Sequence, residues 1–162
     1  MRRNFTYILT VLALATFLFS CQKNKITNQN KTDIAGRWNP TQQRDRAYTT
    51  VGTLVLDSTY ATIHDPGYSY QVFNTNGTSY IITAATGDTT SRFGYAINAS
   101  QLILYVNGDK GDKSQPVYLI IESINSGNLT LRNSFLAYPG TGTGLDPSTV
   151  YNFITDISYA KQ

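Results

Sequence analysis

Side chains that carry chemistry are scarce in this sequence, which holds a single Cys (Cys21), a single His (His64) and a single Glu (Glu122) in 162 residues. An enzyme needs paired acids and bases, a nucleophile with its base, or a metal cage. The residues therefore support an enzyme least among the function classes. His64, beside Asp65 and Pro66, reads as a turn residue, and Glu122 after the apolar run 117–121 reads as a strand-end residue facing water. Asp109 and Asp112 do not complete a calcium-loop spacing and have Lys110 between them, so they read as a hairpin turn. No metal ligand set and no cofactor motif is expected.

Long apolar runs are also rare. The only one spans Phe5 to Phe19, broken by Thr6, Thr10 and Thr16 and preceded by Arg2 and Arg3. A spanning helix needs about 20 apolar residues, so this shorter run behind a basic head has a signal-peptide layout. Its end, Leu18-Phe19-Ser20-Cys21, resembles the lipobox of bacterial lipoproteins. The resemblance implies cleavage before Cys21, a diacylglycerol on its thiol and an acyl group on the new amino terminus. Each buried methylene contributes about 0.8 kcal/mol and stable anchoring takes two or more chains, so such a lipid would hold the protein on a membrane.

The expected organisation is a signal peptide over 1–20, a flexible tether over 21–33 and one folded domain over 34–162. The tether is polar and without aromatics, a composition that cannot bury enough apolar surface to fold. Gln22 directly after the cysteine resembles the sorting pattern of outer-membrane lipoproteins. The expected address is the bacterial outer membrane, lipid-anchored and facing the periplasm. Lipidation would consume the only thiol, leaving no disulfide and putting the burden of stability on core packing. The 34–162 stretch is far above the ~40-residue limit below which staples are usually needed. Two of the 13 Lys plus Arg residues are Arg2 and Arg3, so the rest nearly balance the 10 Asp plus Glu, and nucleic acid is not an expected partner.

What is abundant is β-forming: 12 Tyr, 7 Phe, and many Thr, with 12 Gly and many Asn for tight turns. Ile34 to Trp38 opens a strand that Asn39-Pro40 stops or bends. A second strand runs from Val51 to Ser58 and extends with a bulge through Tyr60 to His64. Tyr68 to Asn74 and Tyr80 to Ala84 flank Thr75-Asn76-Gly77-Thr78, and Asn-Gly between apolar runs is a strong hairpin signal. Further strands are expected at 93–97, 102–106, 117–124 and 129–135. In the tail, Val150, Phe153, Ile154 and Ile157 have helical spacing, but Tyr151, Phe153, Ile157 and Tyr159 share one strand face. The Tyr, Ile and Thr content favours the strand. One strand per 8 to 12 residues is the pattern of an all-β barrel or sandwich.

Gly36-Arg37-Trp38 at the first strand, followed by a hairpin-linked meander, resembles the lipocalin-like lipoproteins of Bacteroidota. The resemblance implies an antiparallel eight-stranded up-and-down barrel, with a β-sandwich as the alternative, and makes Gly36 and Trp38 structural residues of the closed barrel end. The Arg that lipocalins bring from the last strand to cover the Trp is absent; Lys161 and Arg132 are the candidates to replace it. Eight strands enclose room for packed side chains or one small ligand. Tyr70, Tyr80, Phe93, Tyr95 and Leu104 are read as alternating onto one face, where they either fill the core or line a site for a hydrophobic or amphipathic guest. The expected function is ligand binding by a lipid-anchored barrel. The alternative is a structural or interaction module, such as an accessory subunit of an outer-membrane complex with an envelope protein as partner.

Overall fold

A computed structural model of the chain describes residues 33–61, 69–106 and 116–162. Cys21 with the segments 1–20 and 21–32, His64 with its 65–67 turn, and the 107–112 turn lie outside the described residues. Among the described residues there are nine strands: β1 (Gly36–Tyr48), β2 (Leu54–Tyr60), β3 (Tyr70–Phe73), β4 (Thr78–Ile82), β5 (Thr89–Asn98), β6 (Gln101–Val106), β7 (Pro116–Ile124), β8 (Asn128–Ala137) and β9 (Tyr151–Lys161). All neighbouring pairs are antiparallel, and β9 closes onto β1 from Trp38 opposite Lys161 to Tyr48 opposite Asn152. Closure makes β1 and β3 to β9 an eight-stranded barrel with β2 as an extra strand, which excludes the sandwich.

The extra strand follows from the length of β1. Its 13 residues present one edge to two partners, β2 beside Gln43 to Tyr48 and β3 beside Gly36 to Trp38. Asn39-Pro40 bends this strand without stopping it, and the β1–β9 register shifts between Pro40 and Gln42. Proline has no N–H for the ladder, so a bulge is where a strand tolerates it. The Asn-Gly hairpin forms as its turn chemistry demands: Gly77 has φ 84°, Asn74 N–H donates to Thr78 O at 2.8 Å, and Gly77 N–H donates to Asn74 O at 3.1 Å. The tail is strand β9, not a helix.

Side chains directly opposite each other across a ladder share a face. Trp38, Phe73, Leu102, Ile121, Leu129, Leu131 and Tyr159 are all buried, and their positions identify the inner face of each strand. They cluster toward the barrel end formed by the start of β1, the end of β9 and the β3–β4, β5–β6 and β7–β8 turns. Phe93, Tyr95, Ile97, Leu119, Ile124 and Ile157 pack around them.

That end is sealed by local geometry. The Trp38 indole donates to Ile34 O at 2.7 Å, so the residues before β1 cross under the core. Lys161 Nζ donates to Asp33 O at 3.1 Å and lies 5.1 Å from the centre of the Trp38 ring, where cation–π attraction operates. Lys161, not Arg132, is the cation over the tryptophan. Gly36 has φ 137°, and a Cβ there would stand 2.6 Å from Lys161 Cε. The positive φ is what requires glycine, since the Lys161 tip is the end of a flexible chain that moves aside at little cost.

Candidate functional site

The inner face changes character along β2, β1, β9 and β8. Nearest the sealed end, Tyr60, Gln43, Ile157 and Leu131 form one row across the four strands. The next row is Ser58, Asp45, Thr155 and Asn133, all polar and half-buried. The third is Leu56, Ala47, Phe153 and Phe135, with Tyr151 further along β9. Successive rows on one face lie about 7 Å apart. A polar band thus separates a filled apolar base from an apolar upper shelf.

Within the band, Asp45 is held by two neutral donors. Gln43 Nε2 donates to its Oδ1 and Oδ2 at 3.0 and 2.8 Å, and Thr155 Oγ1 donates to Oδ1 at 2.7 Å. Above it, Phe135 and Phe153 stack with centroids 5.7 Å apart, and Tyr151 meets Phe153 edge-on at 6.3 Å. Tyr151 is buried, but Phe135 is 46% exposed, so the shelf has one covered end and one open end. Nearer the sealed end, beside Trp38 in the β1–β3 ladder, Gln71 donates to Ser79 Oγ at 3.1 Å, a buried polar pair on the inner face.

The backs of these strands carry the charges. Arg44 makes a two-point contact with Asp57 at 2.8 and 2.6 Å. Asp156 takes a hydrogen bond from Arg46 and two from Arg132, at 2.7 and 3.2 Å, and Arg132 also reaches Glu122 at 2.8 Å. Hydrogen bonding to Asp156 holds the Arg132 guanidinium above its already high ordinary pKa. Arg44 does the reverse to Asp57, keeping that carboxyl below the usual range. Glu122 lies at the surface, as expected, and this ion pair is its role.

The five residues expected on one face divide between two. Phe93, Tyr95 and Leu104 point inward: Tyr95 lies opposite Leu104 in the ladder, and Phe93 lies opposite the buried Ser79. Tyr70 and Tyr80 point outward, which corrects the expectation of a common face. Tyr80 lies opposite Arg92 and Val72, on the side away from Phe73 and Ser79. In a sequence an outward tyrosine looks no different from an inward one. Both outward rings are covered by guanidinium groups, Arg37 lying 3.6 Å above the Tyr70 ring and Arg92 5.1 Å above that of Tyr80. Tyr95 is itself a packing residue: its ring meets Phe73 edge-on at 5.2 Å, its hydroxyl donates to Asn74 O at 2.7 Å, and burial pushes its pKa up.

Sequence reasoning missed Gln43, Asp45, Thr155, Asn133 and Phe135. The β9 share of the site is readable, because Tyr151, Phe153, Ile157 and Tyr159 share one strand face and Thr155 lies between them at the same parity. The β1 share was hidden by its polarity.

No protein-family model matches the chain, and no curated protein matches it. Among solved structures, the chain is similar to a lipocalin-like protein from Bacteroides uniformis ATCC 8492, with a TM-score of 0.35 and 12% sequence identity over 80% of this chain and 99% of that one.

Proposed function

We propose that this protein is a lipid-anchored component of a bacterial cell envelope whose barrel takes up a small amphipathic molecule through its upper end. The observation that carries the reading is the polar row of Ser58, Asp45, Thr155 and Asn133 on the inner face, directly below the Phe153–Phe135 shelf. Polar groups taken from water cost free energy unless hydrogen-bonded, and this row stays half-buried above the apolar cluster instead of being packed into it. A guest with a polar head and an apolar body would satisfy the row and cover the shelf together. The lipobox-like Leu18-Phe19-Ser20-Cys21 and the polar stretch behind it support attachment through Cys21 to the outer membrane, on the periplasmic side.

Native mass spectrometry of protein purified from its host tests the binding reading. The expected spectrum contains a species heavier than the acylated chain by one small molecule, released on unfolding. Protein that carries only its acyl groups, in a barrel that also takes up no added amphiphile, would sink the proposal. Replacement of Cys21 by Ser tests the anchor, because it should release the chain from the membrane fraction and abolish metabolic labelling by fatty acid.

A second reading, an interaction module, is favoured by Leu136 and Tyr138, 70% and 64% exposed where β8 runs into the following loop. Crosslinking from position 138 that recovers one envelope protein would support it.

A further inference from the structure

We propose that the guest is a cation, a protonated amine attached to an apolar or aromatic body, recognised by Asp45. This inference rests on the ligand-binding reading and names the chemistry of its polar end. The strand carboxylates divide by face. Asp57, Asp156 and Glu122, on the outer face or at the surface, each have an arginine partner. Among the described residues Asp45, on the inner face, has only the Gln43 amide and the Thr155 hydroxyl as partners, and none of the ion pairs includes it.

Two neutral donors orient the carboxylate without neutralising it. A carboxylate offers about four lone-pair positions. Gln43 spans both oxygens with one nitrogen and Thr155 takes Oδ1, so capacity remains, chiefly on Oδ2. A half-buried negative charge in this position favours a cation over a neutral or anionic head. The gain comes from a charge-assisted hydrogen bond in surroundings less polar than water. Gln43 donates its amide N–H to Asp45 and so keeps its carbonyl oxygen as a second acceptor in the next row, as an ammonium with three donors requires. The shelf of Phe153 and Phe135 begins one row above the carboxylate, about 7 Å away, which sets the reach from the charged nitrogen to the apolar body.

The test uses the full chain in detergent and three probes of matched shape: 2-phenylethylammonium, 2-phenylethanol and phenylacetate, with calorimetric titration and a detergent-only blank. The expected order is amine over alcohol by about tenfold or more, with the anion weakest. Asp45→Asn should erase the amine preference while leaving alcohol binding within about twofold. Phe153→Leu should weaken amine and alcohol together, and retained melting transitions would show that both variants are folded. Binding of amine and alcohol with equal affinity, or a preference that survives Asp45→Asn, overturns the cation assignment and leaves the ligand-binding reading standing. Failure of all three probes to bind at millimolar concentration counts against both.

Discussion

Tyr95→Phe separates packing from ligand contact at a position where the sequence allowed either. The change removes one oxygen and leaves the ring that meets Phe73 at 5.2 Å. What is lost is the hydroxyl's hydrogen bond to Asn74 O at 2.7 Å. That carbonyl also accepts from Gly77 N–H at 3.1 Å, so it is not orphaned, and the loss should fall near the middle of the usual range, about 1 kcal/mol. For a domain of this size that is roughly 3 to 5 °C in Tm. The second signature is in alkali. Burial raises the pKa of folded Tyr95 above 10.0. A raised folded-state pKa means its contribution is fully present below the unfolded value and is lost as pH rises through the folded one. The wild type should therefore lose stability above about pH 10 through this group, while the phenylalanine variant cannot. The gap between the two melting curves should narrow from pH 7 to pH 10.5, and affinity for 2-phenylethylammonium should stay unchanged. A gap independent of pH would refute the burial argument. A tenfold loss of amine affinity would refute the packing role and place Tyr95 in the site.

The sealed end should respond strongly. Trp38→Ala should cost about 3 to 5 kcal/mol in urea unfolding, whereas Trp38→Phe, which keeps a ring but orphans Ile34 O, should cost about 1 to 3. Gly36→Ala should destabilise by at least about 1 kcal/mol, because its φ of 137° strains any side chain there, with a smaller steric share from the movable end of Lys161. Adding Lys161→Ala should recover only the steric share, so a double-mutant cycle on Tm checks the division. Phe135→Ala, at a ring 46% exposed, should cost less than about 1.5 kcal/mol while weakening the binding of amine and alcohol alike, which titration beside a thermal melt can separate.

The barrel was legible where side-chain pattern and turn chemistry agreed. Asn76-Gly77 specifies its own turn, and the alternation of Leu102 and Leu104, of Leu129 and Leu131, and of Tyr151 through Tyr159 marks strands with one buried face. Two features were not legible. Tyr70 and Tyr80 sit outward beneath Arg37 and Arg92, half-buried rings partly covered by cations, and hydropathy does not distinguish such a position from an inward one. The second feature is the upper half of β1. Thr41 to Arg46 reads as a polar stretch because both of its faces are polar: Gln43 and Asp45 inward, Arg44 and Arg46 outward. An alternation signal requires one apolar face, and here there is none.

That missing alternation raises the question of what holds β1 in the sheet, since burial does so only at Trp38 and again at Ala47. The answer lies on the back of the polar row. Arg44, Asp156 and Arg132 lie opposite one another on β1, β9 and β8, one residue out of step with Asp45, Thr155 and Asn133. Arg46 and Glu122 join the same group, and Arg44 carries the tie on to Asp57 in β2. Arg46 and Asp156 have side chains only 15% exposed, so their contact is less screened than an ordinary surface pair. The network is not perfectly satisfied, as the buried Arg46 Nε has no hydrogen-bond partner among the described residues. These ion pairs link five strands from outside and add to the backbone ladders that β1 shares with β2, β3 and β9. The arginines thus pair with the outer carboxylates, while Asp45, one residue away on the opposite face, keeps only the neutral donors Gln43 and Thr155 among the described residues.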